Sequence, residues 1–404
     1  MDTLLTSDEA AGLIGRWGFT TGPSRRVGVE LEWLVDPRGD LETGWDLPNG
    51  GTVSREAGGQ VEMSSAPADD LAACIVSAEA DQAALEAALA TRGQTVRGGG
   101  FDGVRDPVRY VDDARYRTME AYYDRTGPWG RMVMCGTASV QVNLDAGDDD
   151  ADLRRRWDLA HRLGPVLIAA FANSPELDGR ASGWNSTRQA LWSKLPGWGH
   201  PVSEEGDLRR DFANWVLDAE VMCHRCDPPG SWDVPPGMTL RDWIRDGHDG
   251  RWPTAEDLRY HMSTLFPPVR PRGWLELRMI DQQDGDGWIV PAVLAETLMD
   301  DRRAADAAYE ATEALCAGRT QPPAPVWEQA ARIGLTDKEL HEAALACFTA
   351  AQEALARTGA PQRLRSRLAE FRLRYTDQGR CPADDRLDVL LASTPQPKEA
   401  APAL

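Results

Sequence analysis

The sequence contains no run of about 18 apolar residues, so no transmembrane helix is predicted. Its first residues, MDTLLTSDEAAGLIGRWGF, lack the basic stretch of a secretory leader, so no signal peptide is expected. Basic residues are also scarce, because 44 Lys and Arg stand against 64 Asp and Glu and the formal net charge is −20. This balance argues against nucleic acid or an anionic membrane as a partner. We therefore expect a cytoplasmic protein with an acidic surface.

Cysteine is too sparse for a disulfide framework. The seven cysteines are odd in number and scattered, which is typical of reduced thiols in the cytosol. Cys223 and Cys226 form a C-x-x-C pair. A zinc site needs four ligands, and the sequence shows no second such pair and no βαβ pattern of a thioredoxin-like motif. Two ordinary thiols are the favoured interpretation, and a regulatory disulfide between them is left open.

Hydrophobic patterning predicts strands in the first 280 residues and mainly helices after them. The predicted strands are 27–35, 60–64, 95–102, 132–144 and 273–281, and the predicted helices are 7–17, 68–91, 115–125, 151–172, 186–193, 206–220, 291–317, 325–333, 337–358 and 362–376. Segments 36–58, 173–187 and 223–255 are predicted as loops. We expect one α+β domain over residues 1–392 and a disordered tail over 393–404.

Four predicted strands share an unusual pattern of polar residues two positions apart in an apolar run. They read VELE at 29–32, QVEM at 60–63, QVNL at 141–144 and LELR at 275–278. Residues two apart on a strand point to the same face, so each pair projects together. Buried charge is costly unless it is paired or binds a metal, and Mg²⁺ prefers oxygen ligands. The pattern predicts an antiparallel sheet with a carboxylate-rich face that holds magnesium and a nucleotide.

These segments and their flanks resemble the glutamate–cysteine ligase superfamily, specifically its plant-type branch and the actinobacterial enzymes that serve ergothioneine biosynthesis. The matching stretches are GVELEW (28–33), EAGGQVEMS (56–64), RYRTM (115–119), TASVQVNLD (137–145), ANSP (172–175), GWNSTRQALW (183–192), GMTLR (237–241) and HMSTLFPPVRPRGWLELR (261–278). The resemblance covers roughly residues 10–380. It implies a glutamine-synthetase-like or guanido-kinase-like architecture, in which helices surround the sheet.

The resemblance also implies a reaction. ATP phosphorylates the side-chain carboxylate of glutamate, and the amine of cysteine then displaces phosphate to give γ-glutamylcysteine and ADP. Phosphoryl transfer demands positioning and charge neutralisation, for which a cluster of carboxylates holding two or three Mg²⁺ ions, or Mn²⁺, is suited. Expected partners are glutamate, cysteine or another small amine, and ATP, and we expect a monomer or a homodimer.

Individual site residues follow from the resemblance by position. The implied metal ligands are Glu30, Glu32, Glu56, Glu62, Gln141 and Glu276. Arg278, with Glu276, is implied at the transferring phosphoryl group, and Arg188 and Trp192 are implied to hold the glutamate substrate. Arg115 matches another active-site arginine, and Met222 stands near the position where plant enzymes have a tyrosine in the cysteine pocket.

Three other functions are weighed against this one. The same machinery acting on a different amine would be a carboxylate–amine ligase of secondary metabolism. Paired glutamates and fifteen Trp also suit a glycosidase, but that chemistry needs two carboxyl groups and this face offers five or six beside an arginine. A non-catalytic cation-binding protein would not need Arg278 or the Arg188 and Trp192 pair. The ligase is therefore the favoured function.

Overall fold

The computed structural model of the chain describes residues 5–23, 25–39, 45–195, 199, 206–226 and 232–393. Its strands are β1 Val27–Asp36, β2 Thr52–Arg55, β3 Val61–Ser64, β4 Thr95–Arg97, β5 Ser139–Asp145, β6 Glu176–Leu177, β7 Arg180–Ala181, β8 Val269–Pro271 and β9 Trp274–Asp281. Seven of them form one sheet in the order β2-β3-β1-β5-β9-β8, with β4 paired to the end of β1. Neighbouring strands run antiparallel. The predicted α+β class with an antiparallel sheet is therefore confirmed.

Helices and short turns fill the sequence between the strands. The helices are α1 Ser7–Gly18, α2 Leu71–Ala90, α3 Ala114–Tyr123, α4 Trp129–Gly136, α5 Asp150–Phe171, α6 Thr187–Trp192, α7 Leu208–Asp218, α8 Leu240–Asp246, α9 Ala255–Met262, α10 Ile289–Asp300, α11 Arg302–Ala311, α12 Ala324–Ile333, α13 Lys338–Arg357, α14 Gln362–Arg374 and α15 Pro382–Ser393. No helix in the described ranges is both long enough and apolar enough to cross a membrane.

The apolar residues of the strand pattern form one side of the core. On β1, Val29, Leu31 and Trp33 alternate with the glutamates and are buried. The matching residues of β5 and β9 lie on the same face, and α2, α5 and α10 pack against it. α5 can lie there because its whole second half, from Leu159 to Phe171, is buried. The sheet is thus anchored by its apolar face, which leaves the polar face free to build a site.

The predicted strand 132–144 is wrong in its first half. Residues 129–136 form α4, and β5 begins only at Ser139. The short apolar run Met132 to Cys135 has no clear period, because four consecutive apolar residues fit a strand or a buried helical turn equally well. In the structure Val133, Met134 and Cys135 are buried in a second apolar cluster with α3, and this packing selects the helix.

Other boundaries differ where short elements lie in segments predicted as loops. Segment 36–58 contains β2, and segment 223–255 contains α8, which begins with a capping box between Thr239 and Asp242. The predicted strand 95–102 is limited to β4, and the predicted helix 291–317 breaks at Asp301, which caps α11. The elements α9, β8 and α15 were not predicted. The predicted disordered tail lies outside the described residues except for Ser393, which ends α15.

Candidate active site

The register of the sheet places the polar residues of four strands beside one another. The cross-strand pairs are Glu32 with Glu62, Glu30 with Gln141, and Asn143 with Glu276. Because residues two apart on a strand share a face, all of these side chains lie on the side opposite the core. We call this side, which carries Glu30, Glu32, Glu62 and Glu276, the carboxylate face. The four strand patterns thus form the single polar surface that the sequence predicted.

A cavity of about 380 Å³ opens on the carboxylate face. Its charged lining consists of Glu30, Glu32, Glu56, Glu62, Arg115, Arg188, Arg270, Arg272 and Arg278, and its apolar wall includes Met119, Tyr123, Trp192 and Phe266. This central cavity combines four carboxylates with five guanidinium groups. Such a lining suits ligands that carry both cations and anions, and it does not suit an apolar molecule.

Each glutamate of the central cavity is held by a neutral donor. Glu32 accepts hydrogen bonds from Ser139 Oγ at 2.8 Å and from Gln141 Nε2 at 2.9 Å. Glu30 Oε1 accepts one from Asn143 Nδ2 at 3.0 Å. Glu62 accepts one from the Ser54 hydroxyl at 3.0 Å, and Glu56, on the turn between β2 and β3, accepts one from the Tyr116 hydroxyl at 3.2 Å. These bonds fix the side chains but leave carboxylate oxygens for a further ligand, since a carboxylate has about four acceptor sites.

The glutamates also perturb one another. Burial, and then the charge of Glu276, raises the pKa of Glu30 to about 7. Burial, and then the charge of Glu32, raises the pKa of Glu56 to about 7. The pKa of Glu62 is raised well above its usual range by burial and by the three other glutamates. Like charges held this close are unfavourable unless protons or cations neutralise them, so this donor set fits Mg²⁺.

The carboxylate oxygens of the central cavity are too far apart for three of them to bind one cation without a change in side-chain position. Among the described residues, no three of these glutamates bring carboxylate oxygens within 4.8 Å of one another. Binding a cation through three of them therefore requires small side-chain rotations.

Glu276 lies under the central cavity and is fully buried. Its Oε1 accepts hydrogen bonds from Arg270 Nη2 and from Arg278 Nη1, each at 3.0 Å. Burial alone would raise its pKa, but Arg270 and Arg278 outweigh burial and lower the pKa of Glu276 to about 2. Arg278 also donates to Gln141 Oε1. Glu276 is therefore a charged anchor for two arginines, and its role as a metal ligand stays a prediction, as does that of Gln141.

Arg188 is almost completely buried at one end of the central cavity. Its Nη2 donates to the carbonyl of Arg278 at 2.8 Å, and its Nη1 lies 3.8 Å from Asp281 Oδ1. Its Nε and Nη1 have no hydrogen-bond partner among the described residues. Burial lowers the pKa of the guanidinium. A buried guanidinium with open donors is suited to an anionic ligand such as a carboxylate.

The other predicted substrate residues are distributed over two cavities. Arg115 and Trp192 line the central cavity, and Arg115 donates to the hydroxyl and the carbonyl of Ser263 at 3.1 Å and 2.9 Å. Met222 does not line it. It lies in a neighbouring cavity of about 400 Å³, the side cavity, whose apolar walls include Leu195 and Trp215 and which shares Tyr123, Trp192 and Phe266 with the central cavity.

Several lining residues were not predicted as site residues. Arg270 and Arg272 stand two apart on a short segment before β9, and β8 is too short to be seen in the hydrophobic pattern. Their spacing repeats that of the four polar pairs, so the same argument could have found them. Tyr116 was visible only as part of the stretch 115–119. Its role depends on the turn that carries Glu56, a long-range contact that no local pattern shows.

A second group of metal-binding side chains lies outside these cavities. His224, His248 and Asp249 bring one ligand atom each within 4.8 Å of one another. The guanidinium of Arg251 lies 2.9 Å from His224 Nε2, and burial followed by this charge lowers the pKa of His224. The positive charge of Arg251 beside His224 disfavours a metal cation at this group. No disulfide joins the adjacent Cys223 and Cys226, and burial raises the pKa of Cys223 to about 12.

Comparison with known proteins gives a consistent result. The family model "Glutamate-cysteine ligase family 2" matches residues 26–402. The glutamate–cysteine ligase EgtA of Mycobacterium tuberculosis (strain ATCC 25618 / H37Rv) is 40% identical over 410 residues, which cover 96% of this chain and 91% of that protein. The chloroplastic glutamate–cysteine ligase of Medicago truncatula is 30% identical over 246 residues, which cover 59% of this chain and 47% of that protein.

The fold of the chain is also similar to that of solved structures. A bifunctional glutathione synthetase from Pasteurella multocida superposes with a TM-score of 0.53 at 14% sequence identity, covering 95% of this chain and 51% of that chain. At this identity the likeness concerns the arrangement of the sheet and its helices.

Proposed function

Because this chain belongs to the glutamate–cysteine ligase family 2, we propose that it joins the γ-carboxylate of glutamate to the amine of cysteine at the expense of ATP. It is an ATP-dependent ligase of that family. The γ-phosphoryl group of ATP passes to a carboxylate oxygen of glutamate, and ADP leaves. The cysteine amine then attacks the acyl carbon, loses a proton and expels phosphate. The product, γ-glutamylcysteine, would serve ergothioneine biosynthesis, as the similarity to EgtA proteins supports.

The observation that carries the proposal is the central cavity, where carboxylates and guanidinium groups face one another. A carboxylate is a poor electrophile, so its activation by phosphorylation needs neutralisation of several negative charges at once. Glu30, Glu32, Glu56 and Glu62 would hold two or three Mg²⁺ ions, and the bound metal supplies that neutralisation for the phosphates. The five arginines of the same cavity supply positive charge directly.

Arg188 and Trp192 would bind the glutamate substrate at their end of the central cavity. The open Nε and Nη1 of Arg188 leave donors for the α-carboxylate, and the backbone bond to Arg278 holds the guanidinium in place. Trp192 supplies an apolar wall beside it. Arg278 is fixed by Glu276 and Gln141, so it is pre-positioned where the transferring phosphoryl group would pass.

The side cavity would admit the acceptor amine. It adjoins the central cavity through Tyr123, Trp192 and Phe266, and Met222 gives it a soft apolar wall that suits a small thiol. Asp218 and Glu220 are in its lining, and carboxylates suit an ammonium group that enters from solvent. A cytoplasmic location, a monomeric or homodimeric state and a single domain over residues 1–392 stay predictions.

The deciding experiment measures ADP release and product mass with purified protein, ATP, Mg²⁺ and glutamate. Cysteine, 2-aminobutyrate, alanine and simple alkylamines are offered together at equal concentration. We expect γ-glutamylcysteine as the main product, with 2-aminobutyrate accepted less well. If a non-thiol amine is used in preference to cysteine, the protein is a carboxylate–amine ligase with another acceptor. ADP release that persists without glutamate, or that EDTA does not affect, would contradict the proposal itself.

A further inference from the structure

Asp281, the last residue of β9, is a buried carboxylate that does not line the central cavity. Its Oδ2 accepts hydrogen bonds from the backbone N–H of Asn173 at 2.9 Å and from the Ser174 hydroxyl at 2.7 Å, and its Oδ1 accepts one from the Ser186 hydroxyl at 3.0 Å. Burial raises the pKa of Asp281, and Arg188 and these three donors work against the rise. A buried carboxylate with this many donors makes the segments around it rigid.

The donors of Asp281 belong to the segments that hold Arg188. Ser174 Oγ, which donates to Asp281, accepts a hydrogen bond from the backbone N–H of Arg188 at 3.2 Å. Ser186 is the N-cap of α6, and its hydroxyl accepts a hydrogen bond from the backbone N–H of Gln189 at 3.2 Å. Arg188 is the second residue of this helix. Asp281 therefore fixes both the cap of α6 and, through Ser174, the backbone of Arg188.

Asp281 also lies beside the guanidinium of Arg188. Asp281 Oδ1 is 3.8 Å from Arg188 Nη1, and neither Nη1 nor Nε has a hydrogen-bond partner among the described residues. This distance is too long for a hydrogen bond, so the carboxylate compensates the charge of the guanidinium without occupying its donors. Burial lowers the pKa of Arg188, and the charge of Asp281 is the largest of those that oppose this effect. The donors of Arg188 thus stay open for an anionic ligand.

The backbone passes directly over Asp281 at Gly100. A Cβ on Gly100 would lie 2.7 Å from both carboxylate oxygens of Asp281, so a side chain there would have to displace the carboxylate. Two backbone bonds hold the chain at this place, from Gly100 N to Asn173 O at 3.1 Å and from Ala138 N to Gly100 O at 3.0 Å. Glycine is therefore required at position 100 by a close approach of the backbone, which leaves Asp281 no room to move.

We infer that Asp281 is a positioning residue for Arg188. It does not touch the substrate. It fixes the start of α6 and compensates a buried guanidinium, so that Arg188 presents open donors to an anionic group in the central cavity. The inference rests on the proposed function, in which that group is the α-carboxylate of glutamate. Loss of Asp281 then weakens glutamate binding, although Asp281 carries the same charge as the ligand.

The test compares Asp281→Asn with the milder variant Ser186→Ala. Asparagine keeps the shape of Asp281 but turns one acceptor oxygen into a donor, which faces other donors. We expect the KM for glutamate to rise about tenfold in Asp281→Asn and about threefold in Ser186→Ala, because a displaced clamp loses its alignment with the substrate. The KM for ATP should change by less than about twofold, since the described hydrogen bonds of Asp281 lead to α6 and to the segment before it and not to the carboxylate face.

Asp81→Asn is the matched control. Asp81 is also buried, and it accepts hydrogen bonds from the backbone N–H groups of Asn49 and Gly51 at 2.8 Å and 3.0 Å. Its replacement should lower the melting temperature, because buried donors lose their acceptor, while both KM values change by less than about twofold. If Asp281 had only a structural role, Asp281→Asn would behave in the same way.

A double-mutant cycle separates positioning from general stability. Arg188→Lys is made alone and together with Asp281→Asn. If Asp281 acts through Arg188, the second change should raise the KM for glutamate by less than about twofold beyond the effect of Arg188→Lys, whereas independent effects would multiply. Ser186→Ala in the Arg188→Lys background gives the same comparison, and it decides the question where Asp281→Asn does not fold.

The outcomes distinguish this inference from the proposed function. An unchanged KM for glutamate in Asp281→Asn, or in Ser186→Ala where the first variant does not fold, overturns the positioning role and leaves the proposed function in place. Effects that multiply fully in the cycle overturn it as well. A KM for glutamate that Arg188→Lys does not change removes the glutamate clamp and with it the role of Asp281. A protein without glutamate-dependent ADP release would instead contradict the proposed function.

Discussion

At the scale of single residues, the glutamates of the central cavity have a cost in stability, and their proposed role as metal ligands would give a benefit in catalysis. Glu62 shows this most clearly, because burial and then the neighbouring glutamates raise its pKa, and among the described residues the Ser54 hydroxyl is its one hydrogen-bond donor. A residue that is kept in an unfavourable electrostatic environment is a candidate for function. Its replacement should therefore affect stability and activity in opposite directions.

Glu62→Gln keeps the shape of the side chain and removes its charge. We expect the melting temperature of the metal-free protein to stay the same or rise at about pH 8, since repulsion among the carboxylates falls. We expect kcat to fall at least about 100-fold, the size of a lost electrostatic stabiliser. Thermal unfolding in EDTA and steady-state ADP release measure the two effects. Glu342→Gln on the exposed face of α13 is the matched control, and near-normal turnover of Glu62→Gln would refute the metal assignment.

Arg188→Lys tests the glutamate clamp. Lysine provides a point charge and cannot form two parallel bonds to one carboxylate. We expect the KM for glutamate to rise at least about tenfold while the KM for ATP changes by less than about twofold, because the proposed role of Arg188 is to bind the α-carboxylate of glutamate and not the nucleotide. Initial-rate kinetics with each substrate varied in turn give both constants. Equal increases would show that Arg188 is not the glutamate clamp.

At the scale of elements, the turn between β2 and β3 carries Glu56 and depends on close contact with α4. A Cβ on Gly58 would lie 2.0 Å from the carbonyl oxygen of Cys135 and 2.5 Å from its Cα, so a side chain there must displace backbone. This contact presses the turn onto α4 and so sets the position of Glu56 above the carboxylate face. Its backbone bonds, from Glu56 N to Gln60 O and from Gly59 N to Glu56 O, are both 2.9 Å.

Gly58→Ala should therefore weaken both the fold and the site. We expect a destabilisation of about 1–3 kcal/mol, typical of overpacking, and a lower kcat because Glu56 moves with the turn. Denaturant unfolding and turnover in the presence of saturating Mg²⁺ measure the two effects. Gly22→Ala is the control, because no atom lies within 4 Å of a Cβ at that position. Unchanged stability of Gly58→Ala would show that the turn can shift without cost.

The elements also show what the sequence could and could not predict. The strands that carry the polar pairs were found because their alternation is strict and long enough to be distinguished from a helix. The segment 129–136 was wrongly predicted as a strand. It forms a helix because it packs against α3, which lies about ten residues earlier in the chain, and the local hydrophobic pattern contains no information about this contact. The register that sets Glu32 against Glu62 is likewise a property of strand pairing and not of either strand alone.

The same limit applies to the candidate site. The predicted residues Glu30, Glu32, Glu56 and Glu62 meet in one cavity with Arg115, Arg188, Trp192 and Arg278. The sequence did not show that Glu276 is held by Arg270, because Arg270 lies on the short β8, whose pairing with β9 the pattern did not reveal. It did not show that Met222 lies in a separate cavity either, because that depends on segments distant in the chain. Local patterns identify which residues share a strand face, whereas cavities are formed by the segments that close over that face.

At the scale of the whole molecule, the carboxylates link metal binding, pH and stability. Glu30 and Glu56 have pKa values of about 7 in the folded protein against 4.5 for an ordinary glutamate. Between these two values the folded state holds more protons than the unfolded state. The contribution of both residues to stability is therefore complete below about pH 4.5 and is lost as the pH rises through about 7, when no metal is bound.

Magnesium should reverse this loss, because in the proposed site it would bind the same oxygens that the protons occupy at low pH. We expect addition of Mg²⁺ to raise the melting temperature more at about pH 8 than at about pH 6, since at the lower pH the cation must first displace protons from Glu30 and Glu56. Differential scanning calorimetry at matched ionic strength, with KCl in place of MgCl₂ as the control, separates site binding from screening. In Glu62→Gln the rise caused by Mg²⁺ should be smaller at both pH values. An equal rise at both pH values would show that the cation binds elsewhere, and the central cavity would then lose its role as the metal site.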